Sequence, residues 1–438
     1  MAGPRTVFRA GRAPGVWQAA CYAAILLLSG CVGYGQLTSP LEQHLQAQQP
    51  DKALQALEAQ RHAERDKVIY FLDKAMLLRM SGDWQGSNEN FEQAKQRIEQ
   101  LDAVSVREQA AAVSINDTLR SYAGERFERI LLHVYGILNY LEAGRLDQAR
   151  VEVLQLDVLL RQQEDGEPQA AFARYLSGLV FESQSEWSDA MIAYRKAYQS
   201  YRQGGKQPVP DYLQSDLLRL SERLGLMDEH EQYRQEFGQL QWQRPRSDKQ
   251  AELVIFLHNG LVPRKREQAI FVQDPGSGRM ISVATPYYET REAPRVRLRV
   301  VAGDQHPEAQ SMMDVAAVAR KSLEAQMPGI ISRALARAVV KNQASKAAEQ
   351  KDALAGFLVN VAGVLTERAD MRAWYTLPQD ILMARLPIPD AAQAVQVELQ
   401  DSLGRVVVRE LPARQMPAGG KRFVSLHWPV SKVTKWRP

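Results

Sequence analysis

From residue 41 to about residue 241, apolar positions recur at steps of three and four, with few β-branched runs and few prolines. That periodicity predicts a succession of amphipathic helices. The pattern changes after 250. The run "AELVIFLHNG", residues 251–260, reads as a buried strand closed by an Asn-Gly turn. Further strands are expected near 268–272, 280–284 and 295–301, with "DPGSG", 274–278, turning the chain between two of them. Helices are then expected over 314–326, from Pro328 to about 350, where proline suits a first helical turn, and over 353–368. In "AVQVELQDSLGRVVVREL", 394–411, apolar residues alternate on both sides of a turn at 401–404, which predicts a hairpin. The expectation is an α+β chain: an all-α N-terminal half, residues 51–245, and an α+β unit with a β-rich end, residues 250–438. The segment "QWQRPRSDKQ", 241–250, links them.

The helical half carries a repeat. "RYLSGLVFESQSEWSDAMIAYRKAY", 174–198, places Gly178, Phe181, Trp187, Ala190, Tyr194 and Ala197 at offsets that resemble a tetratricopeptide repeat (TPR). The scheme recurs at 136–156 with Tyr140, Gly144, Ala149, Val153 and Leu156, and at 76–94 with Gly82, Trp84, Phe91 and Ala94. A small residue followed four and seven positions later by larger and small ones lies along one helical face, so helix B can approach helix A. The repeats are stretched, since Ala149 and Ala190 stand 41 positions apart against about 34 in the ordinary repeat. Residues 213–237 read as a final, capping pair of helices. Such arrays present a concave surface; here the groove positions are Leu131, Val134, Leu138, Phe172, Tyr175 and Leu179. They are mostly apolar, so either a partner or another part of this chain fills the groove.

The N-terminus adds an address. Residues 1–15 hold Arg5, Arg9 and Arg12 and no acid, and an apolar stretch follows from Val16 to Leu28. Basic then apolar is the form of a secretory signal, and as a helix the stretch spans about 20 Å, short of a bilayer core of about 30 Å. "LSGC", 28–31, resembles a bacterial lipobox, which implies cleavage after residue 30 and acylation of Cys31. Residue 32 is Val rather than the Asp of inner-membrane retention, so the outer membrane, periplasmic side, is expected. Residues 33–49 are polar and Gln-rich and read as a tether, within a 31–50 segment of lipidated cysteine and spacer. Loss of residues 1–30 removes three arginines and leaves 52 basic and 51 acidic residues. Net charge therefore gives no argument for nucleic acid. The only other cysteine, Cys21, leaves with the signal.

Chemistry is sparse. The sequence has no zinc-binding His pair, nucleophile elbow, Gly-rich phosphate loop or cysteine ligand set, so no catalytic residue, metal or cofactor is assigned. His258, at the end of the 251–260 strand, and Trp374 are the places an unusual enzyme site would use. Glu125 and Glu128 share a helical face, but Arg126 and Arg129 interleave with them, as in surface ion pairs. Arg295, Arg297 and Arg299 alternate along a strand, and Arg333, Arg337 and Lys341 follow at one-turn steps along a helix. Both rows form candidate basic surfaces for phosphates or carboxylates.

Four stretches, 125–153, 251–265, 311–341 and 369–381, together resemble an uncharacterised family of bacterial repeat-containing lipoproteins. That family pairs an Asp with Arg-Ser-Trp; this chain has Asp370-Met371-Arg372-Ala373-Trp374, so no reactive serine is implied. The resemblance implies no established activity and places relatives beside genes for lipoprotein activators of penicillin-binding proteins. The expected function is a lipid-anchored scaffold or regulator that binds envelope proteins during cell-envelope assembly, peptidoglycan synthesis included. The alternatives are a structural subunit of a secretion or surface assembly and, least favoured, an enzyme on glycan or lipid.

Overall fold

The computed structural model describes residues 34–108, 120–161, 168–204, 207–238, 251–273, 280–292, 296–301, 309–349, 368–388, 395–401, 404, 406–411, 419–430 and 432–433. Cys31, the expected signal, the expected 241–250 linker and 274–278 turn, residues 353–367 and Arg295 lie outside them.

Helix formation starts inside the segment read as a tether. Helix α1 spans Tyr34–Gln46 and α2 Pro50–Glu58. Tyr34, Leu41 and Leu45, spaced by seven and four, fall on one helical face. All three are buried, and the two leucines pack with Leu57, Leu77 and Leu261. The polar composition of 33–49 concealed that spacing, and the described part of this segment is docked on the body.

Four helical hairpins follow: α3 Lys67–Met80 with α4 Trp84–Glu108, α5 Arg126–Glu142 with α6 Leu146–Arg161, α7 Pro168–Ser183 with α8 Trp187–Gly204, and α9 Asp211–Arg223 with α10 Met227–Glu236. Every inter-helix turn is made the same way. Gly82, Gly144, Ser185 and Gly225 take positive φ. The next amide in each case donates back to Leu78, Tyr140, Phe181 or Ser221, five residues earlier. This is the Schellman closure of a helix C-terminus; Ser185 is the one non-glycine among these four, and Gln48 takes the same place in the α1–α2 turn. The B helices keep one register. Ser87, Phe91 and Ala94, then Ala149, Val153 and Leu156, then Ala190, Tyr194 and Ala197, are all buried. Gly178 allows the closest approach, because a Cβ there would stand 2.3 Å from the Tyr194 ring.

The second half contributes a four-stranded sheet in the order β10-β1-β7-β6, formed by β1 Ala251–Asn259, β6 Gln310–Asp314, β7 Asp380–Ile388 and β10 Lys421–Trp428. Strand β1 is central, parallel to β10 and antiparallel to β7. Strands β2 Lys265–Gln273 and β3 Met280–Tyr288 form a hairpin. Strands β5 Val296–Val301, β8 Val395–Asp401 and β9 Val406–Leu411 form a three-stranded sheet, and β4 Arg291–Glu292 pairs with β11 Lys432–Val433. Instead of ending near Gln326, one helix, α11, runs from Val315 to Glu349 through Pro328. Proline costs that helix one backbone bond without ending it.

One hydrophobic cluster joins both halves: Leu131, Leu138, Phe172 and Leu179 from the hairpins share it with Val254 and Phe256 of β1, Met312 and Met313 of β6, and Trp374. Among the described residues, no helix is long and apolar enough to cross a membrane.

Candidate functional site

The six groove positions come together on the inner side of the hairpins, and each is 0% exposed. What covers them is this chain. The Phe172 ring meets Phe256 of β1 edge-on at 6.0 Å. The Tyr175 hydroxyl donates to Asp216 at 2.9 Å and accepts from Arg385 of β7 at 2.8 Å. Of the two fillings left open by the sequence, the structure has the internal one, and none of the six presents a surface to a partner.

Polar groups gather where the hairpins meet the sheet, in two clusters. In the first, Arg385 donates to both oxygens of Glu252, at 2.7 and 2.9 Å, and to Asp216. Lys421 contacts Glu182 at 3.0 Å and Glu252 at 2.6 Å. Arg219 donates to Glu182 at 2.7 Å and Asp216 at 3.0 Å. Three cations thus interleave with three carboxylates. Burial alone would raise the Glu252 carboxyl, but Arg385 and Lys421 outweigh it and hold the group down at about 2. Glu182 is likewise held well below the carboxylate range by Arg219, Lys421 and Arg385 in spite of its burial.

The second cluster lies around α3, the start of α5 and the segment 368–379. The Asp73 carboxylate accepts from Tyr34 Oη at 2.6 Å, Thr376 Oγ1 at 2.9 Å and Thr376 N at 3.2 Å. Burial pushes it up to about 6 against these bonds. Glu128 accepts from the backbone amides of Trp374 and Glu125, both at 2.8 Å, and from the Tyr122 hydroxyl. Its burial and the neighbouring Glu125 carboxylate push it up to about 7, against Tyr122 and Lys265. Glu125 itself is paired with Lys265 and accepts from Ser322 at 2.9 Å and Gln326 at 3.2 Å. Instead of forming surface ion pairs, Glu125 and Glu128 build a reciprocal capping box at the start of α5.

His258 and Trp374 converge on Tyr135, whose ring lies 5.3 Å from the first and 5.9 Å from the second. Both are buried. His258 Nε2 is 3.2 Å from Ser425 Oγ, its Nδ1 is 3.2 Å from Tyr135 Oη, and the ring stacks on His427. Burial and Arg79 keep the imidazole neutral, its pKa far below the ordinary value. An acyl-transfer dyad needs an orienting acid behind the imidazole and an approach for substrate. Here a tyrosine stands behind it and the ring is sealed, so the arrangement is packing.

The basic rows separate. In β5, Arg297 pairs in register with Gln400 and Arg299 with Glu398. Arg333 and Arg337 of α11 line a cavity of about 350 Å³ together with Glu125 and Lys265. The sequence reading gave Arg385, Glu252, Glu182, Asp216, Arg219 and Lys421 no role. The available signal was Glu252, a carboxylate ahead of the apolar run 253–257 of β1.

No family model matches the chain, and no curated protein matches it. Among solved structures it is similar to MamA from Desulfovibrio magneticus RS-1, at 14% identity over 48% of this chain and 95% of that one, TM-score 0.31. The apo form of RapI gives 10% identity over 50% and 58%, TM-score 0.36. BtubC from P. vanneervenii gives 10% over 52% and 89%, TM-score 0.34. Each likeness covers about half of this chain and is too loose to carry an argument.

Proposed function

We propose that the protein is an outer-membrane lipoprotein, anchored through Cys31 and facing the periplasm, that works as a protein-interaction scaffold or regulator in cell-envelope assembly. Peptidoglycan synthesis is the first process to test. The observation that carries this reading is a row on α6. Val151, Leu154 and Val158, 55%, 46% and 59% exposed, follow at one-turn intervals on a helix whose opposite face, Ala149, Val153 and Leu156, is core. Single exposed apolar residues are ordinary; a row on one face is an interaction surface. Ion pairs flank it, Arg150 with Glu186, Arg161 with Asp157 and Lys196 with Asp157, which is the apolar centre and polar rim of a protein interface. The occupant we favour is an envelope protein offering an apolar face of its own, engaged on the outer side of the hairpins because the inner side is filled.

The anchor sets the range of such a scaffold. With Tyr34 buried, the three peptide steps from residue 31 reach about 10 Å at full extension. The body then rides on the membrane, and confinement to that surface raises the local concentration of membrane-borne partners.

Photo-crosslinking residues placed at Val151, Leu154 and Val158, and at exposed Gln235 on α10 as a control, test the docking face in cells. A discrete adduct from the α6 positions alone supports it; no adduct, or the same one from Gln235, sinks it. Incorporation of labelled palmitate that is lost in Cys31→Ser tests the anchor separately.

A further inference from the structure

A pocket of about 280 Å³ lies at the rim of the hairpin array, where the turn between α3 and α4 stands beside the turn between α5 and α6. Its polar lining is oriented by a relay that starts in the core. The buried Arg79 donates to Asn139 Oδ1. A guanidinium has no acceptor atom, so this bond decides which end of the Asn139 carboxamide is oxygen. Asn139, itself buried, then donates from Nδ2 to Ser87 Oγ at 2.9 Å and to Asn88 Oδ1 at 2.7 Å. Asn88 is fixed in its turn, its oxygen held inward and its NH2 left to the pocket it lines. Two acceptors are set in the same manner. Asp83 caps α4 through Oδ1, which accepts from Gly86 N at 2.8 Å, and Gln85 donates from Nε2 to Glu89 at 3.0 Å. Each is anchored by one atom and offers the other, Asp83 Oδ2 and Gln85 Oε1. Trp84 and Tyr140, both half-buried, give the pocket aromatic walls. Among the described residues, Asp83 and Arg145 are its only charged lining, so its charge balances.

We propose that this pocket binds one acetamido-bearing pyranose of a glycan, with the Asn88 NH2 donating to the acetamido carbonyl. Three properties select that chemistry. The balanced charge selects a neutral ligand over an anion or a cation. The C–H face of a pyranose is an apolar surface that lies against an aromatic ring, while its hydroxyls both donate and accept, as the carboxylate, amide and guanidinium side chains around it require. The size fits a single ring, since the volume stands at the small end of ligand pockets, which begin at about 300 Å³. Because the relay holds Asn88 before any ligand arrives, binding spends little on ordering it. The proposal does not rest on the α6 face. Peptidoglycan and lipopolysaccharide both carry acetamido sugars and share this chemistry.

Calorimetry on the chain from residue 31, with Cys31→Ser to keep acyl chains out of the assay, tests it. The probes are triacetylchitotriose and cellotriose, which lacks the acetamido groups. Triacetylchitotriose should bind saturably and cellotriose about tenfold more weakly. Asn88→Asp keeps the acceptor for Asn139 and removes the donor, so it should weaken triacetylchitotriose about tenfold, leave cellotriose unchanged and so erase the preference. That loss of discrimination is a readout that a merely structural role would not move. Gln235→Ala, at an exposed position on α10, should change neither affinity. If Asn88→Asp fails to fold, Arg145→Gln replaces it, since Arg145 is exposed, and should weaken both sugars. Competition by solubilised peptidoglycan strands supports that source, competition by lipopolysaccharide supports the other, and competition by neither overturns the proposal. So does the absence of saturable triacetylchitotriose binding, equal affinity for the two sugars, affinity that survives the pocket substitutions, or binding of trialanine in place of the sugars.

Discussion

The two polar clusters at the junction between hairpins and sheet are buried alike and ionised differently. Around Arg385, three cations meet three carboxylates, and the acids are driven down, Glu252 to about 2. Around Asp73 and Glu128, hydrogen-bond donors replace most of the cations, and the acids are driven up, to about 6 and about 7. Burial pushes in the same direction in both places. The sign of the outcome is set by how many opposite charges accompany the carboxylate. One junction is therefore held by charge and the other by neutral or half-neutral hydrogen bonding.

The harshest way to break the comparison is to remove the central cation of the first cluster. Arg385→Met removes the cation that Glu252 and Asp216 share in a poorly hydrated site, and urea unfolding should show a loss of about 3 kcal/mol. Cutting the seam itself comes next. Phe172→Ala removes the contact with Phe256 and should cost about 3–4 kcal/mol, with the protein becoming sensitive to limited proteolysis. An unchanged midpoint would mean that the groove is less filled than its burial indicates.

Titration sharpens the contrast. The Glu252 carboxyl has a folded pKa below its free value of 4.5, so its stabilisation is present above pH 4.5 and is lost as the pH falls toward 2. Asp73 works in the opposite sense. Its folded pKa, about 6, lies above the free value of 3.8, so the folded chain retains a proton that the unfolded chain has released. That contribution is complete below pH 3.8 and disappears as the pH rises through 6. Glu252→Gln should flatten the acid limb of a Tm-against-pH curve. The smallest effect is expected from Asp73→Asn, which should flatten the limb between pH 4 and 6 and shift stability at pH 5 by about 1 kcal/mol or less. Two limbs unaffected by both substitutions would remove the distinction between the clusters.

The helical hairpins were legible because a single pattern encodes them: a turn residue able to take positive φ, then a small, a large and a small side chain along one face. Ser87, Ala149 and Ala190 occupy the same buried place. Strand β1 was legible as an apolar run, and the hairpin of β8 and β9 from its alternation. The other three strands of the main sheet were not. Strand β6 is five residues with a register shift between Ser311 and Met313, and β7 contains Pro387. In β10, intermediate and buried positions do not alternate strictly. The first charge cluster was illegible for a different reason. Its members lie at positions 182, 216, 219, 252, 385 and 421; the three on helices read as ordinary solvated charges until the strands that carry the other three cover them. The groove showed the same limit from the other side. The spacing identified which residues face inward, and only the tertiary fold identifies what they face.

The place of β10 in the sheet also governs the order in which the molecule becomes whole. A chain made from its N-terminus delivers the four hairpins first, with Phe172 and Leu179 uncovered until β1 arrives, and Glu182 without Lys421 until β10 joins β1. An interrupted product that stops before residue 421 would present the open edge of β1 and leave Glu182 and Glu252 each short of one cation. Completion of the last long strand thus closes the β1 edge and completes the charge cluster in one step.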